Sequence, residues 1–276
     1  MAIITLTTDF GSRDGYVGAM KGVLARLGRQ PLIVDIAHDI PRGDIPHAAW
    51  VVATACREFP EDTIHVVVVD HGAGSESRPL HFGPGAGSES RRLHAGPGVG
   101  GARRGVVIDA NGSYYVGPDN GVFAYLEPQW ARAIENIQIM APEVSATFHG
   151  RDVFATAAAA LALKIDPTAI GSRVELEGML PWGERPAGEG RVVHIDHYGN
   201  LITDLPADEA GIAVAIAGRR LPIVATYESV LPNELLAYIG SARTVVIAIR
   251  DGRADRVLDA PRGTAIVPVT EGSAYR

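Results

Sequence analysis

The fold class is decided by residues 3 to 36, which read IITLTTDFGSRDGYVGAMKGVLARLGRQPLIVDI. The β-branched run at 3 to 9 predicts a buried strand, and the helix-period segment at 15 to 28 predicts a helix that ends at Gly28. LIVDI at 32 to 36 predicts a second strand. Because a strand, a helix and a strand in succession form a parallel crossover unit, this stretch indicates an α/β sheet.

The same alternation continues as far as residue 164. The further elements that it predicts are a helix at 44 to 59 with Asp44 as its N-cap, strands at 64 to 70, 104 to 110, 113 to 117 and 133 to 137, a short helix after Pro118, and a helix at 151 to 164. We therefore predict an N-terminal α/β domain over residues 1 to 179 with a largely parallel sheet.

A second domain is predicted after a linker. Residues 180 to 190, LPWGERPAGEG, are rich in proline and glycine and carry no periodicity. Residues 191 to 276 then contain short strand-like runs separated by turn residues, namely RVVHIDH, NLITDL, IAVAIA, LPIVATY, TVVIAIR and TAIVPV. This pattern predicts a smaller C-terminal all-β domain that resembles a barrel.

Composition and charge argue against several classes of protein. The 276 residues are 46% apolar and 21% charged, which is typical of a globular chain and not of a disordered one. A net charge of -7 without an evident basic face argues against a nucleic-acid partner. Since no signal peptide and no apolar run of membrane-spanning length is evident, we expect no membrane association and a cytoplasmic location.

A tandem repeat with a period of 13 residues interrupts the N-terminal domain. Its copies are DHGAGSESRPLHF at 70 to 82, GPGAGSESRRLHA at 83 to 95 and GPGVGGARRGVVI at 96 to 108. A unit this short and glycine-rich cannot form a solenoid. We interpret it as one loop copied twice, and long loops of this kind are usually active-site lids or mobile segments.

Three polar residues of the N-terminal domain are candidates for chemistry. Asp9 and Asp70 end predicted strands, at the edge where open α/β sheets bind ligands, and a carboxylate there can accept both hydroxyls of a ribose. A turn aspartate before Gly11 is an equally good interpretation of Asp9. His149 lies in a glycine-containing turn before a helix, where it is either a base or orienting residue, or a capping histidine.

In the C-terminal domain the sequence HIDHYGN contains His194, Asp196, His197 and Asn200. We predict no metal site, because residues 194 and 197 of one strand point to opposite faces. Asp196 suits an ammonium group, and the Asn200 carboxamide suits the edge of a purine.

Five motifs in the same order resemble the S-adenosyl-L-methionine (SAM) hydroxide adenosyltransferase family, which is related to the bacterial fluorinase and chlorinase. They are TTDFGSRDGYVGAMKG at 7 to 22, VVVVD at 66 to 70 with the glycine loop, YYVGPDNGVF at 114 to 123, TFHGRDVFATAAA at 147 to 159, and IDHYGN at 195 to 200. The resemblance implies an α/β domain followed by a β-barrel domain. It also implies a homotrimer whose substrate lies between one subunit's N-terminal domain and its neighbour's C-terminal domain.

The resemblance further implies that water displaces methionine from C5′ of SAM, giving adenosine and L-methionine without a cofactor. In the matching positions, Asp9 would bind the ribose hydroxyls and Asp196 the methionine ammonium. Asn200 would bind the adenine and Ser241 the methionine carboxylate. The Ser241 match is loose, because Gly240 replaces the family's asparagine.

Hydrolytic members carry an Asp, Arg and His triad, and Asp70 and His149 match two of its positions. The family's arginine lies seven residues after the aspartate, but that position is Ser77 here. The last repeat copy restores the pattern, so we assign the role to Arg103, with Arg78 as the rival.

Two other functions remain open. The first is a halide-dependent adenosyltransferase, which is disfavoured because a carboxylate at Asp70 would repel a halide. The second is a nonenzymatic SAM- or adenosine-binding protein, which would follow if the repeat displaces the arginine from the site.

Overall fold

A computed structural model describes residues 1–26, 30–70 and 104–270, together with the backbone of 78–79 and 94–95. Most of the tandem repeat, and the predicted helix end at Gly28, lie outside these ranges. The chain divides into two compact units, Met1–Leu180 and Pro181–Arg276.

The N-terminal unit is an α/β structure, as predicted. Its elements are β1 (Ile3–Thr8), α1 (Tyr16–Ala25), β2 (Leu32–Ala37), α2 (Ile45–Ala55), β3 (Ile64–Val68), β4 (Arg78–Pro79), β5 (His94–Ala95), β6 (Gly105–Ala110), β7 (Ser113–Pro118), β8 (Trp130–Ala133) and α3 (Ala155–Ala162). Short 3-10 helices lie at Cys56–Glu58 and Pro167–Ala169, and a π-helical turn at Gly150–Phe154 precedes α3.

Six of these strands form one sheet in the order β2-β1-β3-β7-β6-β8. The first four strands of this order run parallel, whereas β6 is antiparallel to both β7 and β8. Strands β4 and β5 form a separate antiparallel pair. The carboxyl ends of β1 and β3 therefore lie side by side at one edge of the sheet.

Local chemistry explains several element boundaries. Asp44 is the N-cap of α2, as predicted, and its side chain accepts a hydrogen bond from the His47 backbone N–H at 3.1 Å. Asn111 and Gly112 both have positive φ, and this pair forms the two-residue hairpin turn between β6 and β7.

Two predicted elements of the N-terminal unit are wrong. The strand expected at 133 to 137 lies earlier, at Trp130–Ala133, and the N–H groups of Glu135 and Asn136 instead donate to the Ile170 carbonyl. The residues after Pro118 form turns, not a helix. There the Asp119 side chain accepts hydrogen bonds from a distant segment, the backbone of Glu177 and Gly178.

The C-terminal unit is a single antiparallel sheet that is nearly closed into a barrel. Its strands are β9 (Gly190–Ile195), β10 (Leu201–Pro206), β11 (Ala213–Ile216), β12 (Arg219–Pro222), β13 (Leu235–Ile239), β14 (Thr244–Ile249) and β15 (Ala265–Val269), with 3-10 helices at Tyr227–Ser229 and Ala254–Arg256. The sheet order is β12-β11-β15-β9-β10-β14-β13.

A single bridge between Ile223 and Ala237 brings the two edges of this sheet together. Strand β13 was not predicted, and the run predicted as LPIVATY leaves the sheet ladder after Pro222. Both differences lie where the two edges of the sheet meet, although β13 itself pairs with its sequence neighbour β14.

None of the helices in the described ranges has both the length and the apolar character needed to cross a membrane.

Candidate active site

Asp9 and Asp70 lie together at the carboxyl edge of the parallel sheet. Asp9 directly follows β1, and its backbone N–H donates to the Val68 carbonyl at the end of β3 at 3.4 Å. The Asp70 backbone N–H lies near enough to the Asp9 carboxylate to lower its pKa. The structure therefore brings these two sequence-predicted carboxylates into one cluster.

The Asp9 carboxylate is partly buried, and only part of its hydrogen-bonding capacity is used. Burial raises the pKa of Asp9, and repulsion from the Asp70 carboxylate adds to this effect, whereas the backbone N–H groups of Gly43 and Asp70 lower it. The Gly43 N–H lies 2.8 Å from Asp9 Oδ2. A carboxylate has about four lone-pair positions, so Asp9 keeps the capacity to accept further hydrogen bonds, such as those from a diol.

His149 is the third predicted residue at this edge. It immediately precedes the π-helical turn at Gly150–Phe154. Burial lowers the pKa of His149, and the negative charges of Asp152 and Asp70 oppose that shift. Its Nε2 is buried and makes no hydrogen bond to any described residue. Burial therefore favours the neutral form of the His149 imidazole, and the Asp70 carboxylate lies near enough to influence its titration.

Aromatic side chains form one wall beside these groups. The rings of Phe10, Tyr16 and Phe148 meet edge to face, with centroids 5.3–6.0 Å apart. Gly150 permits this packing, since a Cβ atom there would lie 3.2 Å from Phe10 Cζ. The chain segments that carry Asp9 and His149 are thus packed together through their neighbouring aromatic residues.

Asn120 is a polar residue at this edge that sequence reasoning missed as a functional candidate. Its Nδ2 lies 3.3 Å from Asp70 Oδ1 and 2.9 Å from the Val69 carbonyl oxygen. The motif YYVGPDNGVF at 114 to 123 contains it, but the turn residues Pro-Asp-Asn-Gly predict only a turn.

Asp196 and Asn200, in the C-terminal unit, are joined in one turn between β9 and β10. Asp196 Oδ1 accepts from the backbone N–H groups of Tyr198 and Asn200, each at 2.9 Å, and Oδ2 accepts from Asn200 Nδ2 at 2.8 Å. The two residues therefore organise each other before any ligand arrives.

An ion pair that the sequence analysis did not identify supports this turn. Arg253 Nη2 lies 2.8 Å from Asp255 Oδ2, and Arg253 Nη1 donates to the His197 carbonyl at 2.9 Å. Gly199 has a φ of 84°, and a Cβ atom there would lie 2.5 Å from Asp255 Oδ1. The glycine of the IDHYGN motif is thus required by both backbone conformation and space.

Ser241 lies elsewhere in the same unit. It belongs to the turn between β13 and β14, where the Arg243 carbonyl accepts from the Ala207 N–H beyond the end of β10. Asn200 precedes the start of β10, and Leu201 pairs with Ile247 near the other end of β14. The register places Ser241 at the opposite end of these strands from Asp196 and Asn200.

Arg103 and the side chain of Arg78 lie outside the described residues, so the geometry of the predicted triad includes Asp70 and His149 alone. Within the part of the chain that the structure describes, no group of three or more His, Cys, Asp or Glu side chains is arranged to hold a metal ion.

Two family models match this chain over most of its length. The SAM hydroxide adenosyltransferase N-terminal domain matches residues 4–84 and 95–171, and the C-terminal domain of the same family matches residues 190–267. The interruption between 84 and 95 falls within the tandem repeat.

Curated proteins give the same result. The chain is 35% identical to the (R)-S-adenosyl-L-methionine hydrolase of Thermus thermophilus, over 96% of this chain and 99% of that protein. It is 33% identical to the Salinispora tropica protein of the same name, over 94% and 95% of the two chains. A fluorinase of Nocardia brasiliensis is 28% identical, over 84% of this chain and 80% of the fluorinase.

Solved structures share the fold. A conserved hypothetical protein from Thermus thermophilus superposes with a TM-score of 0.74 and 32% identity, covering 98% of this chain and all of that one. An uncharacterized conserved protein from Thermotoga maritima gives a TM-score of 0.77 at 28% identity, over 96% and 99% of the two chains. These matches confirm the resemblance found in the sequence motifs: the chain belongs to the SAM hydroxide adenosyltransferase family.

Proposed function

We propose that this protein hydrolyses S-adenosyl-L-methionine to adenosine and L-methionine. The observation that carries the proposal is that the partly buried His149 and the Asp70 carboxylate lie near each other, in a chain of this family. Relatives named (R)-S-adenosyl-L-methionine hydrolase, which are 32–37% identical to the chain, support the same substrate.

The reaction is a substitution at C5′ of the substrate. The water oxygen forms a bond to C5′ while the bond from C5′ to the sulfonium sulfur breaks, and its electron pair leaves with methionine as a neutral thioether. The proton lost by water passes to the His149 imidazole or, through it, to solvent. A sulfonium leaves without protonation, so the protein must chiefly align the oxygen, C5′ and sulfur and make the water nucleophilic.

The binding roles follow from the chemistry of each group. Asp9 would accept hydrogen bonds from the ribose hydroxyls, and Asp196 would pair with the methionine ammonium. Asn200 would contact the adenine edge, with a carboxamide that donates to Asp196 and keeps its oxygen for a donor. Ser241 would bind the methionine carboxylate, although its position lies far along the strands from Asp196.

Arg103 would complete the triad with Asp70 and His149, with Arg78 as the rival. The reaction needs no cofactor, because the leaving group is already charged in the substrate. We further propose a cytoplasmic homotrimer with its sites at subunit interfaces, as expected for the family. A carboxylate at Asp70 accepts a hydrogen bond from water and repels a halide, which favours hydrolysis over halogenation.

The test is incubation of the purified protein with SAM, with and without chloride, followed by chromatography of the nucleosides. Hydrolysis predicts adenosine and L-methionine in equal amounts, at a rate that chloride does not change. A 5′-chlorinated nucleoside would show a halide-dependent transferase instead. Unchanged SAM together with measurable SAM binding would show a nonenzymatic binding protein.

A further inference from the structure

We propose that Asn120 is a positioning residue, which holds the Asp70 carboxylate in the orientation that the reaction requires. The inference rests on the proposed function, since it assigns Asn120 a role in hydrolysis through Asp70. It gives a chemical reason for the PDNG turn at 118 to 121, which the sequence alone does not connect with the site.

Every polar atom of the Asn120 carboxamide has a partner. Its Nδ2 donates to the Val69 carbonyl at 2.9 Å and to Asp70 Oδ1 at 3.3 Å. Its Oδ1 accepts from the Val122 backbone N–H at 3.2 Å. One side chain therefore links the end of the β3 segment, the carboxylate of Asp70 and the turn that follows β7.

The backbone decides which way this carboxamide faces. The Val122 N–H can only donate, so it requires the oxygen of Asn120, and the Val69 carbonyl can only accept, so it requires the nitrogen. The amino group is therefore directed to Asp70 by two contacts that do not involve Asp70 itself. A donor fixed in this way restricts rotation of the carboxylate before the substrate binds.

The turn that carries Asn120 is itself held rigidly. The neighbouring Asp119 is 9% exposed and accepts hydrogen bonds from the N–H of Gly178 at 2.8 Å and from Arg104 Nε at 3.2 Å. Gly121 has a φ of 100°, and a Cβ atom there would lie 2.7 Å from the Met179 carbonyl oxygen. Side-chain pairing and close backbone packing thus fix Asn120 from both sides.

The chain contains a matched control in Asn136. Its Nδ2 donates to the Ala169 carbonyl at 2.8 Å, and its Oδ1 accepts from the backbone N–H two residues later, on Gln138, at 2.9 Å. Asn120 makes the same pair of backbone bonds and adds the contact with Asp70. A comparison of the two asparagines therefore separates the structural bonds from the contact with the carboxylate.

The experiment measures kcat and KM for SAM and the melting temperature of wild type, Asn120→Ala, Asn120→Asp, Asn136→Ala and Asp70→Ala. We expect Asn120→Ala to lower kcat about 10- to 100-fold with KM changed less than about twofold, as for other residues that orient a reacting group. Asn136→Ala should lose comparable thermal stability and keep kcat within about twofold of wild type.

Asn120→Asp gives the sharpest readout. It is isosteric and keeps the acceptor for the Val122 N–H, so a purely structural role predicts a loss of kcat that only follows the loss of melting temperature. The positioning role predicts a larger loss of kcat, because an acceptor oxygen would then face both the Val69 carbonyl and the Asp70 carboxylate. Lowering the pH should reduce the difference in kcat between Asn120→Asp and wild type, since a protonated carboxyl donates a hydrogen bond as the amide does.

Three results would overturn the inference. These are wild-type kcat in Asn120→Ala, an equal loss of kcat in Asn136→Ala, or a milder effect of Asn120→Asp than of Asn120→Ala. If one of them occurs while Asp70→Ala is inactive, positioning by Asn120 is wrong and the proposed function stands. Wild-type turnover in Asp70→Ala would overturn both the catalytic assignment of Asp70 and the role of Asn120.

Discussion

Two histidines of the N-terminal unit differ in what surrounds them. His65, in the middle of β3, is fully buried in register with Thr5 on β1 and Tyr115 on β7, and burial lowers its pKa to about 4. His149 lies at the carboxyl edge, where burial also lowers its pKa. In both residues Nε2 is buried without a hydrogen bond to the described part of the chain.

The neighbours of the two rings explain the difference. His65 Nδ1 lies 2.8 Å from the Thr5 hydroxyl, and its ring stacks on Tyr115 with centroids 4.7 Å apart, next to Phe59. The carboxylates of Asp152 and Asp70, by contrast, lie near enough to His149 to influence its titration. Burial therefore favours the neutral imidazole in both places, but only His149 lies near carboxylates whose charges oppose that shift.

The largest effect that separates the two regions is expected for Asp70→Ala. This change removes the carboxylate beside His149 and leaves Asn120 its bonds to Val69 and Val122. We expect kcat to fall about 1000-fold or more with a melting temperature within about 3 °C of wild type. Thr5→Val is the matched change in the middle of the sheet, and it should lower stability with kcat unchanged. Wild-type turnover in Asp70→Ala would show that the carboxylate near His149 has no role in the reaction.

His149→Gln should lower kcat about 100- to 1000-fold, because it removes a proton acceptor. In wild type, the pKa of His149 lies below its ordinary value of 6.5, so the neutral base persists into mildly acidic solution. The acidic limb of the pH profile of kcat/KM should therefore have its midpoint below pH 6.5. Adenosine formation measured across a pH series checks this, and a midpoint above that value would argue against His149 as the base.

A third prediction concerns which arginine acts together with Asp70 and His149. Arg103→Ala should lower kcat about 10- to 100-fold, whereas Arg78→Ala should leave it within about twofold of wild type, because only one arginine can complete the triad. Steady-state assays of both variants with SAM decide between them. Loss of activity in Arg78→Ala alone would reassign the role to the first copy of the repeat.

The smallest effect on activity is expected for His65, which should affect acid stability instead. Above pH 6.5 the imidazole is neutral in the folded and unfolded chains, so protonation of His65 does not reduce the free energy of unfolding there. As the pH falls from 6.5 towards the folded pKa of about 4, the unfolded chain binds a proton that the folded chain excludes. Stability is lost over this window, by about 3 kcal/mol in total.

His65→Phe keeps a ring against Tyr115 and should reduce the loss of stability as the pH falls. Its kcat at neutral pH should stay near the wild-type value. Urea unfolding at about pH 7 and about pH 5 measures the free energy of unfolding in both proteins. If the free energy of unfolding of His65→Phe falls with pH as much as that of wild type, His65 is not the group that causes the loss of stability in acid.

The proximity of Asp9 and Asp70 could be predicted because both residues follow strand ends. The runs at 3 to 9 and 64 to 70 identify two neighbouring strands, and the carboxyl ends of parallel strands meet at one edge, so Asp9 and Asp70 were expected in one crevice. The contacts of Asn120 with Asp70, and of Arg253 with the turn at 196 to 200, were not predictable. Each joins residues about fifty positions apart, through bonds that leave no periodic pattern.

One limit of the fold prediction has the same origin. The residues after Pro118 form turns because Asp119 accepts hydrogen bonds from a segment about sixty residues later, whereas the missed strand β13 pairs with its sequence neighbour β14. Helix α2, whose cap is Asp44 with a contact three residues away, was predicted correctly. A cap of this kind is encoded in a local pattern, whereas a contact between distant segments is not.

The sequence by itself determined the family, the α/β class of the first unit, and the chemical identity of the groups at the strand ends. Hydrophobic periodicity and short motifs are local properties, so they can be recognised from the sequence alone. Only the tertiary structure decided which histidine is neutral beside carboxylates and which asparagine faces Asp70. Burial and hydrogen-bond direction depend on atoms contributed by many segments at once, and those atoms come together only after the chain has folded.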